Sequence, residues 1–232
     1  MKIGILSDIH GNAHALKEVL RVAEKEKVEK LLILGDIVGY YYQPELVLEM
    51  LSTWPHDIIK GNHEVILEEL VKGKRSFESV RDKYGSGHQI AMDKLSQEQL
   101  AGLFNLPKKK SVMIDGVFFL MCHGSPWDAD HYIYPDANTA DLLRCDSADH
   151  DFVLIGHTHY SFFFKNEKSM LINPGSVGQS RQVGGLAAWA IINTDNKSCE
   201  MKATPYPVNV LQNETALVDP YVNYLSNILN RK

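Results

Sequence analysis

Cysteine is scarce in this chain: Cys122, Cys145 and Cys199 are the only three. Their spacing matches no paired metal motif, and an odd count cannot close a disulfide framework, so reduced thiols in a cytoplasmic protein are expected. Long apolar runs are missing as well. Nothing approaches the ~18 residues of a membrane span, and the opening stretch Met1 to Asp8 meets charge too early for a signal-peptide core. A basic excess is also absent, since 24 Lys and Arg face 29 Asp and Glu for a net charge of -5. That balance excludes a broad phosphate-backbone footprint, and with it long DNA or RNA as a partner. No repeat, low-complexity tract or linker interrupts the sequence. A chain of 232 residues, 44% hydrophobic, suits one core that buries roughly 70% of the unfolded surface. One domain over residues 1–232 is the expectation.

What is present alternates. Short apolar runs at Ile3 to Leu6, Leu31 to Leu34 and Ile58 to Ile59 are separated by amphipathic stretches at Ala13 to Glu24 and Glu45 to Leu51, the pattern of a parallel α/β sheet. Residues 65–104 turn helical and polar, which predicts a helical insertion with Leu67, Leu70, Val71, Leu95, Leu100, Leu103 and Phe104 facing inward. After Pro107 strands dominate. Ser111 to Ile114 and Val117 to Cys122 flank Asp115-Gly116, a strong hairpin signal. Further strands are expected at Phe152 to Ile155, Phe162 to Phe164, Met170 to Ile172, Ala187 to Ile192 and Cys199 to Ala203. Asp195-Asn196 marks a hairpin turn, and Asp219 to Leu229 a closing helix.

Five apolar runs end within one or two residues of a metal-capable side chain: Leu6-Ser-Asp8, Leu34-Gly-Asp36, Ile59-Lys-Gly-Asn62, Met121-Cys-His123 and Ile155-Gly-His157. Ligands of α/β sheets gather at the carboxyl ends of strands. Residues two apart in extended chain point to one side, which would pair Asp8 with His10 and His157 with His159. Adjacent Asn62 and His63, if extended, would diverge, leaving one ligand beside one residue aimed elsewhere. Gly35, Gly61 and Gly156 precede ligands where the backbone must pass close.

Taken in order, Asp8-Ile-His10, Gly35-Asp36-Ile-Val-Gly39, Gly61-Asn62-His63-Glu64, His123-Gly124 and Gly156-His157-Thr-His159 resemble the calcineurin-like metallophosphoesterase superfamily. Gly39-Tyr40, His123-Gly-Ser-Pro126 and Asn173-Pro-Gly-Ser-Val-Gly178 look most like its small single-domain bacterial and archaeal phosphodiesterases, and extend the likeness to about residue 181. The resemblance implies a four-layer α/β/β/α sandwich of two mixed sheets flanked by helices. It further implies one metal held by Asp8, His10 and His159, a second held by Asn62, His123 and His157, and Asp36 bridging the two. Two such cations, ~3.5–4 Å apart, activate a shared water for in-line attack on phosphorus. His63 would then protonate the departing oxygen and steady the phosphoryl charge. Imidazole, carboxylate and amide ligands without thiolate suit Mn, Fe, Ni, Co or Zn, and similar enzymes use Mn; the four imidazoles stand against a purely Ca or Mg site.

The protein phosphatases of the superfamily carry Asp-Arg where this chain has Gly39-Tyr40, so that activity is not expected. Glu64 and Tyr41 depart from the small bacterial pattern, which has Asp and Gly there. Arg181 is a candidate for substrate phosphate, or a solvated surface arginine. Trp127, His131, Tyr132 and Tyr134 either pack on their own sheet, the favoured reading, or stack a nucleobase. Tyr40, Tyr41 and Tyr42 leave the same choice open. His14, His56, His88 and His150 are expected at the surface. The function implied is a dinuclear metal-dependent phosphodiesterase for a small phosphodiester or nucleotide. A dinucleoside polyphosphate hydrolase or a phosphomonoesterase is the enzymatic alternative. A non-catalytic binding module on the same fold is the third reading, against which His63 and the complete ligand set both stand.

Overall fold

A computed structural model describes all residues, 1–232. In chain order the elements are β1 (Lys2–Leu6), α1 (Ala13–Lys25), β2 (Lys30–Ile33), α2 (Pro44–Ser52), β3 (His56–Ile58), α3 (Asn62–Val71), α4 (Glu78–Tyr84), α5 (Gly87–Lys94), α6 (Gln97–Phe104), β4 (Lys109–Ile114) and β5 (Val117–Cys122). There follow α7 (Thr139–Arg144), β6 (Phe152–Leu154), β7 (Ser161–Lys165), β8 (Met170–Pro174), β9 (Leu186–Asn193), β10 (Ser198–Pro205), α8 (Val208–Val218) and α9 (Asn223–Leu229). No helix is long and apolar enough to cross a membrane.

Two five-stranded sheets form, ordered β10-β9-β1-β2-β3 and β4-β5-β6-β8-β7. Both are mixed: β1, β2 and β3 run parallel, as do β5, β6 and β8, while β9, β10, β4 and β7 are antiparallel to their neighbours. The period of two in the strands explains the layering. Ile3, Ile5, Leu32, Leu34, Ala190 and Ile192 meet Phe119, Met121, Phe152 and Leu154 in one core between the sheets. Their sequence neighbours Leu31, Ile33, Ala187, Trp189 and Ile191 face the opposite way, into a core shared with α1, α2, α8 and α9. On the other side Leu120, Cys122, Val153 and Ile155 pack beneath Leu142 of α7. Strands buried on both faces read as continuous apolar runs, and each fully buried aliphatic side chain contributes roughly 1.5–3 kcal/mol. The four-layer sandwich is therefore the observed fold.

Residues 62–104 form four helices, beginning three residues earlier than the periodicity predicts. Leu67, Leu95, Leu100 and Leu103 enter the same core as α1 and α2, but Val71, expected inside, is 38% exposed at the last turn of α3. The Asp115-Gly116 turn has both residues at positive φ, 50° and 75°, as a two-residue hairpin requires. The connection from β9 to β10 is longer, with Asn193 paired to Ser198. The tail differs from expectation. Asp219 is not helical but buried between α8 and α9, accepting hydrogen bonds from Tyr42 Oη at 3.0 Å and from the Ser86 amide at 2.8 Å. Neither α8 nor α7 is anticipated by the sequence pattern. Only Leu211 and Thr215 are buried in α8 and only Leu142 in α7, too few to leave a periodic signature.

Candidate metal centre

The loops that follow β1, β2, β3, β5 and β6 converge at one edge of the sandwich, and they do so through unusual backbone. Asp8, His10, Asp36, His157 and His159 all have left-handed φ, at 55°, 53°, 54°, 67° and 62°. Non-glycine residues held there cost of order 1–3 kcal/mol each and persist only where the surroundings over-determine them. Here the loops lace together. The His10 amide donates to Asp36 O at 2.9 Å, the Gly156 amide to His123 O at 2.7 Å, and the Gly178 amide to Asp8 O at 3.0 Å. The extended-chain argument for the Asp8/His10 and His157/His159 pairs is thus corrected: Asp8 and His10 do converge, but through left-handed residues flanking an intervening one, whereas His157 and His159, left-handed as well, part into two different ligand sets. Asn62 and His63 are likewise not extended; they open α3.

Two segments brace this framework. The Glu64 carboxylate accepts from the amides of Asp36 (2.9 Å), Ile37 (2.7 Å), Val38 (3.2 Å) and Gly61 (2.8 Å). It fixes the Asp36 loop against the start of α3, a role that was not legible in its departure from Asp. In the Asn173-to-Gly178 turn, Asn173 Nδ2 donates to Gly156 O at 2.8 Å and Ser176 Oγ donates to Asp8 O at 2.7 Å. Gly61 must be glycine, because a Cβ there would stand 2.2 Å from Asp36 Oδ1.

Within this frame Asp8, His10 and His159 offer one ligand atom each within 4.8 Å of one another, and Asp36, His123 and His157 do the same. His63 also approaches His10 and Asp36 within that limit. Asp36 Oδ2 stands between the two sets, 3.8 Å from His10 Nε2 and 3.3 Å from His123 Nε2. All these side chains are buried.

The arrangement fits bound cations. The Nδ1 atoms of His10, His123 and His159 face the carbonyls of Val38, Leu34 and Gln179 at 3.2, 2.7 and 2.8 Å. Each Nδ1 is therefore the protonated nitrogen, and each Nε2 offers a lone pair inward. Yet His10 Nε2 lies 3.0 Å from His159 Nε2, and His123 Nε2 lies 3.0 Å from Asn62 Oδ1. Two acceptors at that separation repel unless something positive lies between them. Asp8 Oδ1 and His157 Nε2 are buried with no hydrogen-bond partner at all, which buried polar atoms seldom tolerate. The electrostatics agree. Burial first, then neighbouring charge, drives His10 below the usual imidazole range and His157 down to about 3, so both are neutral, as a ligand must be. At His123 burial is outweighed by the Asp36 carboxylate, which lifts it to about 10, so the carboxylate favours positive charge at this place.

His63 stands beside this centre in a cage of rings: His88 stacks on it at 4.9 Å, Tyr84 meets it edge-on at 4.8 Å, and Tyr40 lies 4.9 Å away. His88, expected at the surface, is fully buried, because α5 turns it inward onto His63. Burial, with His10 and His88 adding, holds His63 below the usual range and so neutral. A throat of about 40 Å³ leads to the centre, lined by Asp36, Asn62, His63, His157, His159 and Arg181 among others. Arg181 thus faces the site rather than bulk solvent. Tyr40, Tyr41 and Tyr42 are all buried, and Tyr40 also reaches the throat. The aromatic loop divides: Trp127 packs under Arg144 at 4.0 Å, whereas Tyr132 lies 4.0 Å from the His157 ring and joins the throat. A larger hollow of about 1010 Å³ between α1 and α2 has His14 as its one imidazole and gathers none of the three-ligand sets.

The chain belongs to the calcineurin-like phosphoesterase superfamily, whose domain matches residues 1–197. It is accordingly a hydrolase of a metal-dependent family. Among its relatives, the uncharacterized protein MJ0912 of Methanocaldococcus jannaschii is 29% identical over 224 residues, 89% of this chain and 88% of that one. The phosphodiesterase MJ0936 of the same organism is 24% identical over 200 residues, 85% and 95% of the two chains. The crystal structure of a metallophosphoesterase from Sphaerobacter thermophilus superposes with a TM-score of 0.78 at 28% identity, covering 99% of this chain and 98% of that one.

Proposed function

We propose that the chain is a phosphodiesterase that works with two divalent transition-metal ions, manganese foremost, on a small phosphodiester or nucleotide. The observation that carries this reading is the pair of ligand sets meeting at Asp36, each holding acceptors 3.0 Å apart. Asp8, His10 and His159 would hold one ion, Asn62, His123 and His157 the other, and Asp36 both. Such a pair, when bound, supplies an activated water and charge withdrawal at phosphorus.

The chain's own residues do the rest. His63, neutral and fixed in its cage, would donate a hydrogen bond that steadies charge on the oxygen departing as the P–O bond breaks, and that oxygen takes its proton from water. Arg181 lends its guanidinium to the phosphoryl oxygens. The narrow throat excludes bulk water, which strengthens both contacts. Residues 1–232 act as one catalytic domain, in which the helical segment walls the site through Tyr84 and His88. The free thiols of Cys122, Cys145 and Cys199 fit a cytoplasmic setting.

Purified protein supplied with manganese is expected to cleave bis(p-nitrophenyl) phosphate. His63→Ala is expected to lower kcat by about 10²–10⁴-fold while the bound metal stays at two ions per chain. Unchanged turnover in that variant would sink the role given to His63. Rates on a phosphomonoester and on a dinucleoside polyphosphate separate the two enzymatic alternatives, and no turnover on any of the three would favour the binding module.

A further inference from the structure

The throat over the candidate metal centre has about 40 Å³ of room, little more than one water's share of liquid volume. A phosphoester can send only its reacting phosphoryl group inward, and the remainder must lie outside. Directly outside is a cleft of about 510 Å³ that shares Tyr40, Lys83 and Arg181 with the throat and adds Tyr224 and Arg231. That volume is of the size that holds a nucleotide-scale ligand.

The charge of the cleft is out of keeping with the rest of the molecule. In a chain of net charge -5, three cations from α4, the loop after β8 and the segment after α9 converge on one hollow, with Asp82 as its one carboxylate. None of the three is engaged by an acid. Lys83 rests over the Tyr84 ring at 4.8 Å and Arg231 faces the Tyr160 ring at 6.0 Å. Arg181 gives a long hydrogen bond, 3.5 Å, to the Thr158 carbonyl and meets the Tyr224 hydroxyl, while its Nε is buried without a partner. Three cations gathered around a single carboxylate, with no ion pair among them, raise the free energy of the cleft. An incoming anion relieves that cost, and guanidinium with ammonium is the donor set that phosphate oxygens take.

We propose that this cleft is a second-phosphate subsite: the substrate carries, beside the phosphoryl group that reacts, a further phosphate bound by Lys83, Arg181 and Arg231. The inference rests on the phosphoesterase reading and narrows it. Diesters flanked by neutral groups are poor substrates, and those ending in an additional phosphate are good ones. Arg181 sits at the junction of the two volumes and touches both phosphates.

The test uses the manganese-loaded full chain and two readouts. The first is kcat/KM for an adenine dinucleotide with and without a 5′-terminal phosphate, with bis(p-nitrophenyl) phosphate as the reference diester. The second, free of turnover, is calorimetric binding of adenosine 3′,5′-bisphosphate against adenosine 5′-monophosphate. A preference of about tenfold for the extra phosphate is expected in both, the worth of one charge-assisted hydrogen bond. Arg231→Glu and Lys83→Glu, made separately at exposed positions and checked for unchanged circular dichroism, should each cut both ratios by about fivefold or more. Raising salt from about 50 to 200 mM should shrink the wild-type ratios as well. Diester turnover with ratios of unity, or ratios that survive both charge reversals, overturns the subsite alone. A bisphosphate preference without any turnover overturns the phosphoesterase reading and keeps the subsite.

Discussion

His63 and His88 lie face to face, their ring centroids 4.9 Å apart and their planes 11° from parallel. Neither nitrogen of His88 has a hydrogen-bond partner, nor does Nδ1 of His63, so packing of the faces carries the contact. His88 is therefore a positioning residue, and it explains why a helical segment lies against the site. Removing the face in His88→Ala should lower kcat by about 10- to 100-fold through a loosened His63, with KM little changed and metal content intact. His88→Phe keeps the face and should retain most of the rate. Steady-state kinetics of the two variants decide the matter; equal losses would assign the role to the nitrogens instead.

The same ring makes the fold sensitive to acid. Burial pushes the His88 imidazole from 6.5 down to about 4. Below about pH 6.5 the unfolded chain takes up a proton that the folded chain refuses until about pH 4, so stability is full above this window and falls through it. The slope is about 1.4 kcal/mol per pH unit, which amounts to about 2–3 kcal/mol by pH 4.5. Thermal unfolding of wild type and His88→Phe between pH 7.5 and 4.5 should show a gap in favour of phenylalanine that widens as pH falls. Parallel curves would contradict it.

Glu64 holds four amides with two oxygens. In Glu64→Gln one oxygen becomes a donor, and two of those buried N–H groups are left facing it. Each unsatisfied group costs about 1–3 kcal/mol, so urea unfolding should register a loss of about 2–6 kcal/mol. Because the Asp36 loop hangs on this carboxylate, metal affinity should fall in the same variant, as equilibrium dialysis would measure.

The identities of the converging residues were legible because each ends an apolar run: Leu6 leads to Asp8, Leu34 to Asp36, Ile155 to His157. Their backbone was not. Nothing in the letters Asp-Ile-His announces two left-handed residues, since that conformation is imposed by distant carbonyls such as those of Gly35 and Asp36. His88 was misplaced for a related reason. In Gly87–Lys94 only Gly87, His88 and Ala91 are buried, so the inward face of α5 has little apolar signature, and its partner lies in another helix. Glu64 read as a departure from a pattern, because its four amides come from residues up to 28 positions away.

The two ligand sets make separate predictions about metal. Asp8→Ala removes a donor from one set only, and His123→Ala from the other, so each variant should retain about one ion per chain. Asp36→Ala touches both sets and should leave close to none. Metal analysis after gel filtration reads these stoichiometries directly. Two ions retained in Asp36→Ala would rule out a bridging carboxylate.

Gly39 closes the His63 cage on its Nδ1 side. Its φ is +87°, and a Cβ there would stand 2.1 Å from His63 Nδ1, closer than any side chain can approach. Gly39→Ala should therefore force the His63 ring off His88, and its kcat on bis(p-nitrophenyl) phosphate should fall nearly as far as that of His63→Ala. The protein phosphatases of the superfamily carry Asp at the matching position. Here Gly39→Asp cannot supply the partner that Nδ1 lacks, because the first carbon of the side chain already occupies the space such a partner would need. Restoring that carboxylate should lower diesterase activity and bring no gain on p-nitrophenyl phosphate. A rise in monoesterase rate would mean that His63 can be held by charge as well as by its rings.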